Sequence, residues 1–522
     1  IETAMLLHSS CTASRRALST IAVGVSGGVD SSVAALLLKR QGHEVVGIHM
    51  SNWDHEEEGM SSQCSERERE DARRVCERIG IGFHPVSFVR EYWQDVFQPF
   101  VDGIRAGGTP NPDVSCNQHI KFDRFHSYAL SLGAEMVATG HYARVRHRPD
   151  GVSDLLTARD LNKDQTYFLS TISQVALRRT LFPLGDLLKP EVRRIAEDAG
   201  LHTAHKKDST GICFVGKRRF KDFIRGYLPE ETPGPMICVE TGRLLGYHEG
   251  VRLYTHGQRA RVGGLGSRWW VPVQTNSCAA RPSLPCTPLP CCLLAVTCRL
   301  PMRSSVNFLA LTVPRPIFRY VADKDPTTNT LMMCEGFHHP ALYANELIMS
   351  SPSWTRAEVP SEILVSHIWD SSLVHASLAH TCPTGRGLPP HFFHLTSLLL
   401  QDPEGFSCAS RVRHRQPKTP SRLFLECMEH EAHSRHNVGP CSPQYIVQLS
   451  SPVIIATSQT VAIYQDDICL GGAQILGRGP SMYEQQQQQK RALCVEQERR
   501  DGGQGLEIRP CSSSRVDRAC TA

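Results

Sequence analysis

The sequence holds no uninterrupted apolar run of roughly 18 residues, and the stretch Pro282 to Cys298 is broken by four prolines. No membrane-spanning helix is therefore expected, and no membrane partner. No C-x-x-C pair occurs among the 20 cysteines, which argues against zinc ribbons and thioredoxin-type sites. The G-x-x-x-x-G-K-[ST] nucleotide loop is missing as well, and no internal repeat is visible. Excess charge of one sign is small. The 57 Lys+Arg against 52 Asp+Glu leave +5 over 522 residues, which permits a polyanionic partner without demanding one. With 21% charged and 40% hydrophobic residues the chain is neither disordered by composition nor membrane-like, and its length points to about three domains.

What is present is unevenly distributed. Six cysteines (Cys11, Cys64, Cys76, Cys116, Cys213, Cys238) precede residue 250 and fourteen follow from Cys278 onward. The first half thus fits a reducing compartment with a few functional thiols. From Ile21 to Gly264 apolar strand-like runs alternate with amphipathic stretches, the pattern of βαβ units around a parallel sheet. Ile21–Val25, Glu44–His49 and Met136–Thr139 read as strands, Ser31–Arg40 and Glu66–Ile79 as helices. From Thr232 short strands such as Leu244–His248 and Arg252–Thr255 suggest a small β-rich module. Beyond Gly266 regularity breaks down, returning at Phe318–Asp323, Leu331–Cys334, Tyr445–Leu449 and Val461–Gln465.

The strongest local signal is Ile21-Ala-Val-Gly-Val-Ser26-Gly27-Gly28-Val29-Asp30-Ser31-Ser32, a strand entering a Ser/Gly loop that opens a helix. Gly27 and Gly28 allow close backbone approach to a phosphate, the helix start supplies N–H donors, and Asp30 is placed to hold Mg²⁺ on a pyrophosphate. Two cysteines sit in turns that could carry chemistry. Cys116 follows Asp113 by three residues in Asn111-Pro112-Asp113-Val114-Ser115-Cys116, and Cys213 follows a Gly turn preceded by Lys206 and Lys207. Nearby cations lower a thiol pKa, so Cys213 is the better electrostatic candidate for a nucleophile. Lys206 to Arg225 holds seven bases against two acids, which reads as a footprint for a phosphate backbone.

At its Ser26 loop the chain resembles the ATP pyrophosphatase family. Further motifs extend the likeness: Asn52-Trp-Asp, Glu91-Tyr-Trp, Thr109-Pro-Asn-Pro-Asp-Val-x-Cys-Asn, Ala138-Thr-Gly-His-Tyr-Ala-Arg, Lys163-Asp-Gln, Phe182-Pro-Leu-Gly, Lys206-Lys-Asp-Ser-Thr-Gly-Ile-Cys-Phe and Gly257-Gln-Arg. Together they resemble the tRNA-specific 2-thiouridylases. That resemblance implies ATP-dependent transfer of sulfur to C2 of the wobble uridine in tRNAs for Lys, Glu and Gln. ATP adenylates the C2 oxygen, with Mg²⁺ as its companion ion. A persulfide on Cys213, loaded by a sulfur-relay protein, delivers sulfur, and a Cys116–Cys213 disulfide closes the turnover. Asp113 lies at the target base as an acid/base group. Gly24, Val25, Ser26, Gly27, Gly28, Val29, Asp30, Ser31, Met50 and Gly140 would contact ATP. Asn111, Pro112, Asp113, His141, Lys163, Asp164 and Gln165 would contact tRNA, joined by Arg413, His414 and Gln459 from a C-terminal barrel.

The expected architecture is a doubly wound α/β sheet at 21–230, a central β-rich module at 231–345 and a C-terminal β-barrel at 346–480, the whole a monomer. Insertions are read at 267–316, 371–408 and 420–444, and a disordered tail with five glutamines at 481–522. Residues 1–20, with Arg15, Arg16 and Glu2 as the sole acid, compose like a mitochondrial presequence or a frayed tail. Gly216-Lys217-Arg218 resembles the mitochondrial members, so a mitochondrial location is expected, with a cytoplasmic one as the alternative. Cys427, His430, His433 and His436 read as a chance cluster rather than a metal site. Two departures stand out, Gly108 where the family has Arg and His256 where it has Leu. The rival readings are another adenylating enzyme of the same loop family, or a catalytically dead tRNA-binding isoform.

Overall fold

The computed structural model describes residues 19–54, 63–208, 211–216, 218–260, 318–356, 405–427 and 443–501. Residues 1–18 of the possible presequence, the segment 267–316 and the cluster His430, His433 and His436 lie outside the described residues, whereas Thr20 already belongs to the first strand. In chain order the first strands are β1 (Thr20–Gly24), β2 (Glu44–Ser51), β3 (Gly82–Ser87), β4 (Met136–Ala138), β5 (Arg144–His147), β6 (Ser153–Leu156) and β7 (Thr180–Leu181). Five of them form one parallel sheet in the order β3-β2-β1-β4-β7. β1 is central and apolar on both faces because both are covered. Ile21 and Val23 pack against helices α1 (Val29–Arg40) and α2 (Gln63–Ile79), while Ala22 on the other face packs toward Phe97, Ile120 and Phe125. α1 carries Asp30 in its first turn and Lys39 and Arg40 in its last, complementing the helix dipole.

The central module is a second sheet built from β8 (Gly234–Cys238), β9 (Leu244–His248), β10 (Arg259–Ala260), β11 (Arg319–Asp325) and β12 (Thr330–Glu335), ordered β10-β11-β12-β8-β9. The strand expected at Arg252–Thr255 is not one. Gly250 turns the chain at φ +134°, and Val251–Leu253 forms a single 3-10 turn that buries Val251 and Leu253.

The third unit is a closed antiparallel barrel of β13 (Ala344–Met349), β15 (Phe406–Arg411), β16 (Thr419–Cys427), β17 (Pro443–Val453), β18 (Thr460–Gln465) and β19 (Ile468–Arg478), with the short β14 (Ser353–Trp354) against β19. Pairing of β13 with both β17 and β19 closes the ring. Leu347, Val447, Val461, Ile463 and Leu470 fill it. Two expectations are corrected here, because β15 overlaps the end of the 371–408 segment and β16 the start of the 420–444 segment, both read as inserted. β17 likewise takes Pro443 and Gln444 from the end of the 420–444 segment, whereas residues 371–404 and 428–442 lie outside the described residues. β19 also pairs with β6 at Ile468 and Cys469, so the hairpin β5–β6 welds the barrel to the first unit.

The tail expected to be disordered at 481–522 is corrected over its first part, since Met482–Asp501 is a helix; residues 502–522 lie outside the described residues. The motif Ser481-x-x-Glu484 starts it as a reciprocal cap, with Glu484 N donating to Ser481 Oγ (3.2 Å) and Ser481 N donating to Glu484 Oε2 (2.6 Å). Gln, Glu, Lys and Arg are then good helix formers, so a polar stretch can be helical without being buried.

Candidate active site

The phosphate loop is shaped by close approaches that only glycine permits. Gly27 has φ +73°, and a side chain there would collide with the Glu68 carbonyl of α2. A Cβ on Gly140 would come 2.6 Å from Ser31 N, so the loop after β4 lies directly on the start of α1. On the other side a Cβ on Gly24 would lie 3.4 Å from the Met50 methyl. Ser26 N donates to Ser31 Oγ at 3.1 Å, and Ser32 Oγ donates to Gly28 O at 2.6 Å, fixing the loop. Gly28, the N-cap, offers no side-chain cap, so the N–H groups opening α1 are left for an anion.

Cations surround this loop. Lys189 Nζ lies 2.7 and 2.8 Å from the Asp30 oxygens, and Tyr142 Oη donates to Asp30 at 2.9 Å. Lys206 Nζ donates to Gly27 O (2.9 Å) and pairs with Asp71 (2.7 Å). Asp208 accepts Lys163 (2.9 Å), Lys189 (3.0 Å) and Arg193 (2.6 Å). Burial alone would raise the Asp208 pKa, but the Lys163 and Lys189 contacts outweigh it and hold the carboxyl at about 2. The loop and its cations fit the triphosphate of ATP. Asp30 is a carboxylate beside the loop, the donor type a divalent ion takes, and in this structure its oxygens are held by Lys189 and Tyr142.

The second half of the site is a pair of thiols. Asn111 Oδ1 accepts Asp113 N at 3.1 Å and Pro112 occupies the first helical position, so a helical run starts here, with Asp113 and Cys116 three residues apart on one face. Cys213 comes from the 211–216 loop, held by the fully buried Phe214. Its ring lies among Trp53 (5.4 Å between centroids), Phe97 (5.1 Å), Phe100 (5.3 Å) and Phe223 (5.6 Å). The fold thereby brings the two cysteines, 213 − 116 = 97 residues apart, close enough for their charges to interact. Both are free thiols; Cys116 is buried, and Cys213 is exposed as a residue while its Sγ is partly covered against Tyr92 Oη at 3.1 Å.

Burial pushes the Cys116 thiol up to about 12 and raises Cys213 and Asp113 as well. One cation, Lys121, opposes all three shifts. This corrects the expectation that Lys206 and Lys207 activate Cys213, for Lys206 faces Asp71 and the Gly27 carbonyl instead. Sequence proximity misled; Lys121 belongs to the helical run of Cys116. Lys121 Nζ also lies 3.5 Å from His141 Nε2. Since His141 follows Gly140, which lies on Ser31, the cation that acts on both thiols also lies beside the phosphate loop.

The residues expected at tRNA divide into two groups. Lys163 and Gln165 remain partly exposed, the first paired with Asp208 and the second accepting Tyr142 N at 2.9 Å. His414 lies on Phe168 with centroids 4.4 Å apart, and Arg413 donates to His256 O at 3.1 Å. His141 is buried, its Nδ1 2.8 Å from Thr139 Oγ1, and burial lowers its pKa so that it is neutral. Pro112 is buried in the helix start. Asp164 is a correction. It is 1% exposed, pairs with Arg411 at 2.7 Å, and accepts Thr166 Oγ1 and Ala158 N, so it ties barrel to first unit and has no surface for a nucleic acid. Sequence reasoning gave no role to Tyr92, Lys121, Lys189 or Arg193; only Tyr92 stood in a noted motif.

The chain can now be set beside known proteins. The family described as tRNA methyl transferase HUP domain matches residues 19–217, and that described as tRNA methyl transferase PRC-barrel domain matches residues 221–277. The tRNA-specific 2-thiouridylase MnmA of Lactococcus lactis subsp. cremoris (strain SK11) is 46% identical over 458 residues, covering 87% of this chain and 94% of its own length. This chain belongs to the tRNA-specific 2-thiouridylases. The 2-thiouridylase MnmA of Staphylococcus aureus (strain JH9) is 37% identical over 458 residues, covering 87% of this chain and 94% of its own length. Two solved structures match weakly. An NMN synthetase from Francisella tularensis has a TM-score of 0.24 at 16% identity, covering 39% of this chain and 71% of that one. A 4-thiouridine synthetase in complex with RNA and bound ATP has 0.25 at 15% identity, covering 41% and 51%.

Both departures from the 2-thiouridylase pattern fall at one junction. A Cβ on Gly108 would lie 2.7 Å from Ser458 Cβ in the barrel loop, so no arginine fits there as that loop stands. The segment is fastened by Thr109 N and Oγ1, both donating to Thr457 O at 3.0 Å, and by Gln459 Nε2 donating to Thr109 O. His256 Nε2 lies 2.9 Å from Asp323 Oδ1, whose other oxygen accepts Arg478 at 2.8 Å. Where the pattern has Leu and Arg, this 2-thiouridylase thus has an ion-paired seam and a tight backbone contact.

Proposed function

We propose that this chain catalyses ATP-dependent 2-thiolation of the wobble uridine in tRNAs for Lys, Glu and Gln, with a mitochondrial setting and a sulfur-relay protein as donor. The observation that carries the reading is that an exposed Cys213, a buried Cys116 and Asp113 all feel one cation, Lys121, which lies 3.5 Å from the His141 ring next to Gly140 and the phosphate loop. An exposed thiol can accept sulfur from another protein, and a buried one is kept for an internal partner.

In this reading the loop from Gly24 to Ser31, with Met50 and Gly140, orients ATP so that the uridine C2 oxygen attacks the α-phosphorus and pyrophosphate leaves. Mg²⁺ at Asp30 would neutralise phosphate charge. The Cys213 thiolate takes a sulfur atom from the donor persulfide: a new S–S bond forms and the donor leaves as a thiolate. The outer sulfur then bonds to C2 and the C2–O bond breaks with loss of AMP. Cys116, having given its proton to Asp113 or water, attacks Cys213 Sγ. The Cys116–Cys213 disulfide forms, and the electron pair of the broken S–S bond goes to the sulfur on C2, giving 2-thiouridine. A cellular thiol reductant returns both cysteines to the free state. Asp113, whose pKa burial raises, is suited to hold and return that proton. Asn111 and Pro112 flank the base, with His141, Lys163, Gln165, Arg413, His414 and Gln459 around the anticodon arm.

The experiment follows from the last covalent step. Cys116→Ser, given ATP, Mg²⁺, a persulfide donor and unmodified tRNA-Lys, should accumulate tRNA joined to Cys213 through a reducible bond. Release of free 2-thiouridine tRNA at the wild-type rate by that variant would remove Cys116 from the mechanism. A tRNA-binding protein without catalysis is the second reading; the closed barrel and the intact loop and thiols give it no support.

A further inference from the structure

Tyr92 is buried and its ring is locked, edge-on to Trp53 (6.2 Å, 77°) and to Phe214 (6.2 Å, 67°). A buried tyrosine hydroxyl needs a hydrogen-bond partner, and this one finds the sulfur of Cys213, with Oη and Sγ 3.1 Å apart. We propose that Tyr92 is the positioning residue for Cys213, donating its O–H to Sγ when that sulfur is a thiolate and again when it carries the transferred sulfur. The inference rests on the reading of Cys213 as the sulfur carrier.

The direction of the bond follows from proton counting. Between a thiol and a phenol either group can donate, but a thiolate has no proton, and neither has the inner sulfur of a persulfide. In both later states only Tyr92 can donate. Its phenol stays protonated, since burial first, and then the neighbouring Cys213, Cys116 and Asp113, all disfavour a phenolate. Tyr92 thus supports the thiolate that attacks the donor's sulfur, and afterwards keeps the inner sulfur beside Cys116 while the outer one turns about the S–S bond toward substrate. Burial raises the Cys213 pKa; the Tyr92 bond works against it. The same Phe214 that anchors the loop packs on the Tyr92 ring, so donor and sulfur are set by one aromatic cluster.

Tyr92→Phe in the full chain keeps the ring and deletes the donor. Alkylation of Cys213 by iodoacetamide, followed across pH by mass spectrometry of its peptide, should show a midpoint about one pH unit higher, and loading from glutathione persulfide about tenfold slower, the scale of one hydrogen bond to an anion. The KM for tRNA should not change. 3-Fluorotyrosine at position 92, a stronger donor of nearly the same shape, should move the midpoint down. Superimposable alkylation profiles for wild type and Tyr92→Phe, with Cys213→Ser inactive, would overturn this inference and leave the sulfur-carrier reading standing. Normal turnover by Cys213→Ser would overturn both.

Discussion

Lys189 Nζ lies 2.7 Å from Asp30 Oδ1 and 3.0 Å from Asp208 Oδ1, so one ammonium joins the phosphate loop to the segment leading into the Cys213 loop. The contact places the site's cation supply before any nucleotide arrives. Lys189→Met would leave two carboxylates facing one another without it. Stability should fall by about 1–3 kcal/mol, less than for a fully buried pair because both carboxylates are partly exposed. ATP-dependent activity should fall about tenfold or more. Urea unfolding and thiolation assays check both, and a variant as stable and active as wild type would contradict the placement.

Lys121 is the cation that opposes the upward shifts of Cys116, Cys213 and Asp113. Removing it in Lys121→Met should disfavour both thiolates further. Alkylation of Cys213 at pH 8 should slow by about tenfold, and the alkaline limb of the activity profile should move to higher pH. The opposite sign, a faster reaction without Lys121, would show that another group sets the thiols.

Acid should loosen the junctions of the molecule. Asp208 and Asp323 are each held at about 2, against burial, by Lys163 and Lys189 in the first case and by His256 and Arg478 in the second. A carboxyl whose folded pKa is depressed gives stability that is full above its unfolded value, near 4, and lost as pH falls toward the folded value. Thermal unfolding midpoints should therefore drop steeply between about pH 4 and 2. Asp208→Asn should be less stable at pH 7 and show a flatter drop, which a pH series of melting curves would reveal.

The phosphate loop was legible because its chemistry is local: an apolar run for β1, two glycines, and polar residues opening α1. The thiol site was half legible. Asp113 and Cys116 share one turn, but Lys121 and Tyr92 reach Cys213 only through tertiary packing, and the nearer lysines in sequence point elsewhere. β16 was hidden because polar Thr419 and Ser421 take its buried positions and Pro420 reads as a strand breaker. The Met482–Asp501 helix was hidden behind its glutamines, although the Ser481–Glu484 cap was there to be read. Asp164 sits in a motif whose neighbours are partly exposed, and nothing local shows that Arg411 pairs with it in the interior.

The Gly108 contact predicts a reversal. Gly108→Arg would restore the family's residue, yet its Cβ would press on Ser458, so the barrel loop must shift and stability should fall by about 1–3 kcal/mol. Ser458→Gly in the same chain removes that side chain and should recover most of the loss. No effect of Gly108→Arg alone on unfolding would show that the loop gives way freely.

The most direct test of the whole account is retardation of tRNA in a mercury-containing gel after incubation of the purified chain with ATP, Mg²⁺, a persulfide donor and unmodified tRNA-Lys transcript. The account predicts a retarded, thiolated band that disappears with Cys213→Ser and with omission of ATP, while tRNA binding stays within a few-fold of wild type. A retarded band that persists with Cys213→Ser, or none from a folded wild-type chain that binds the tRNA, would contradict it.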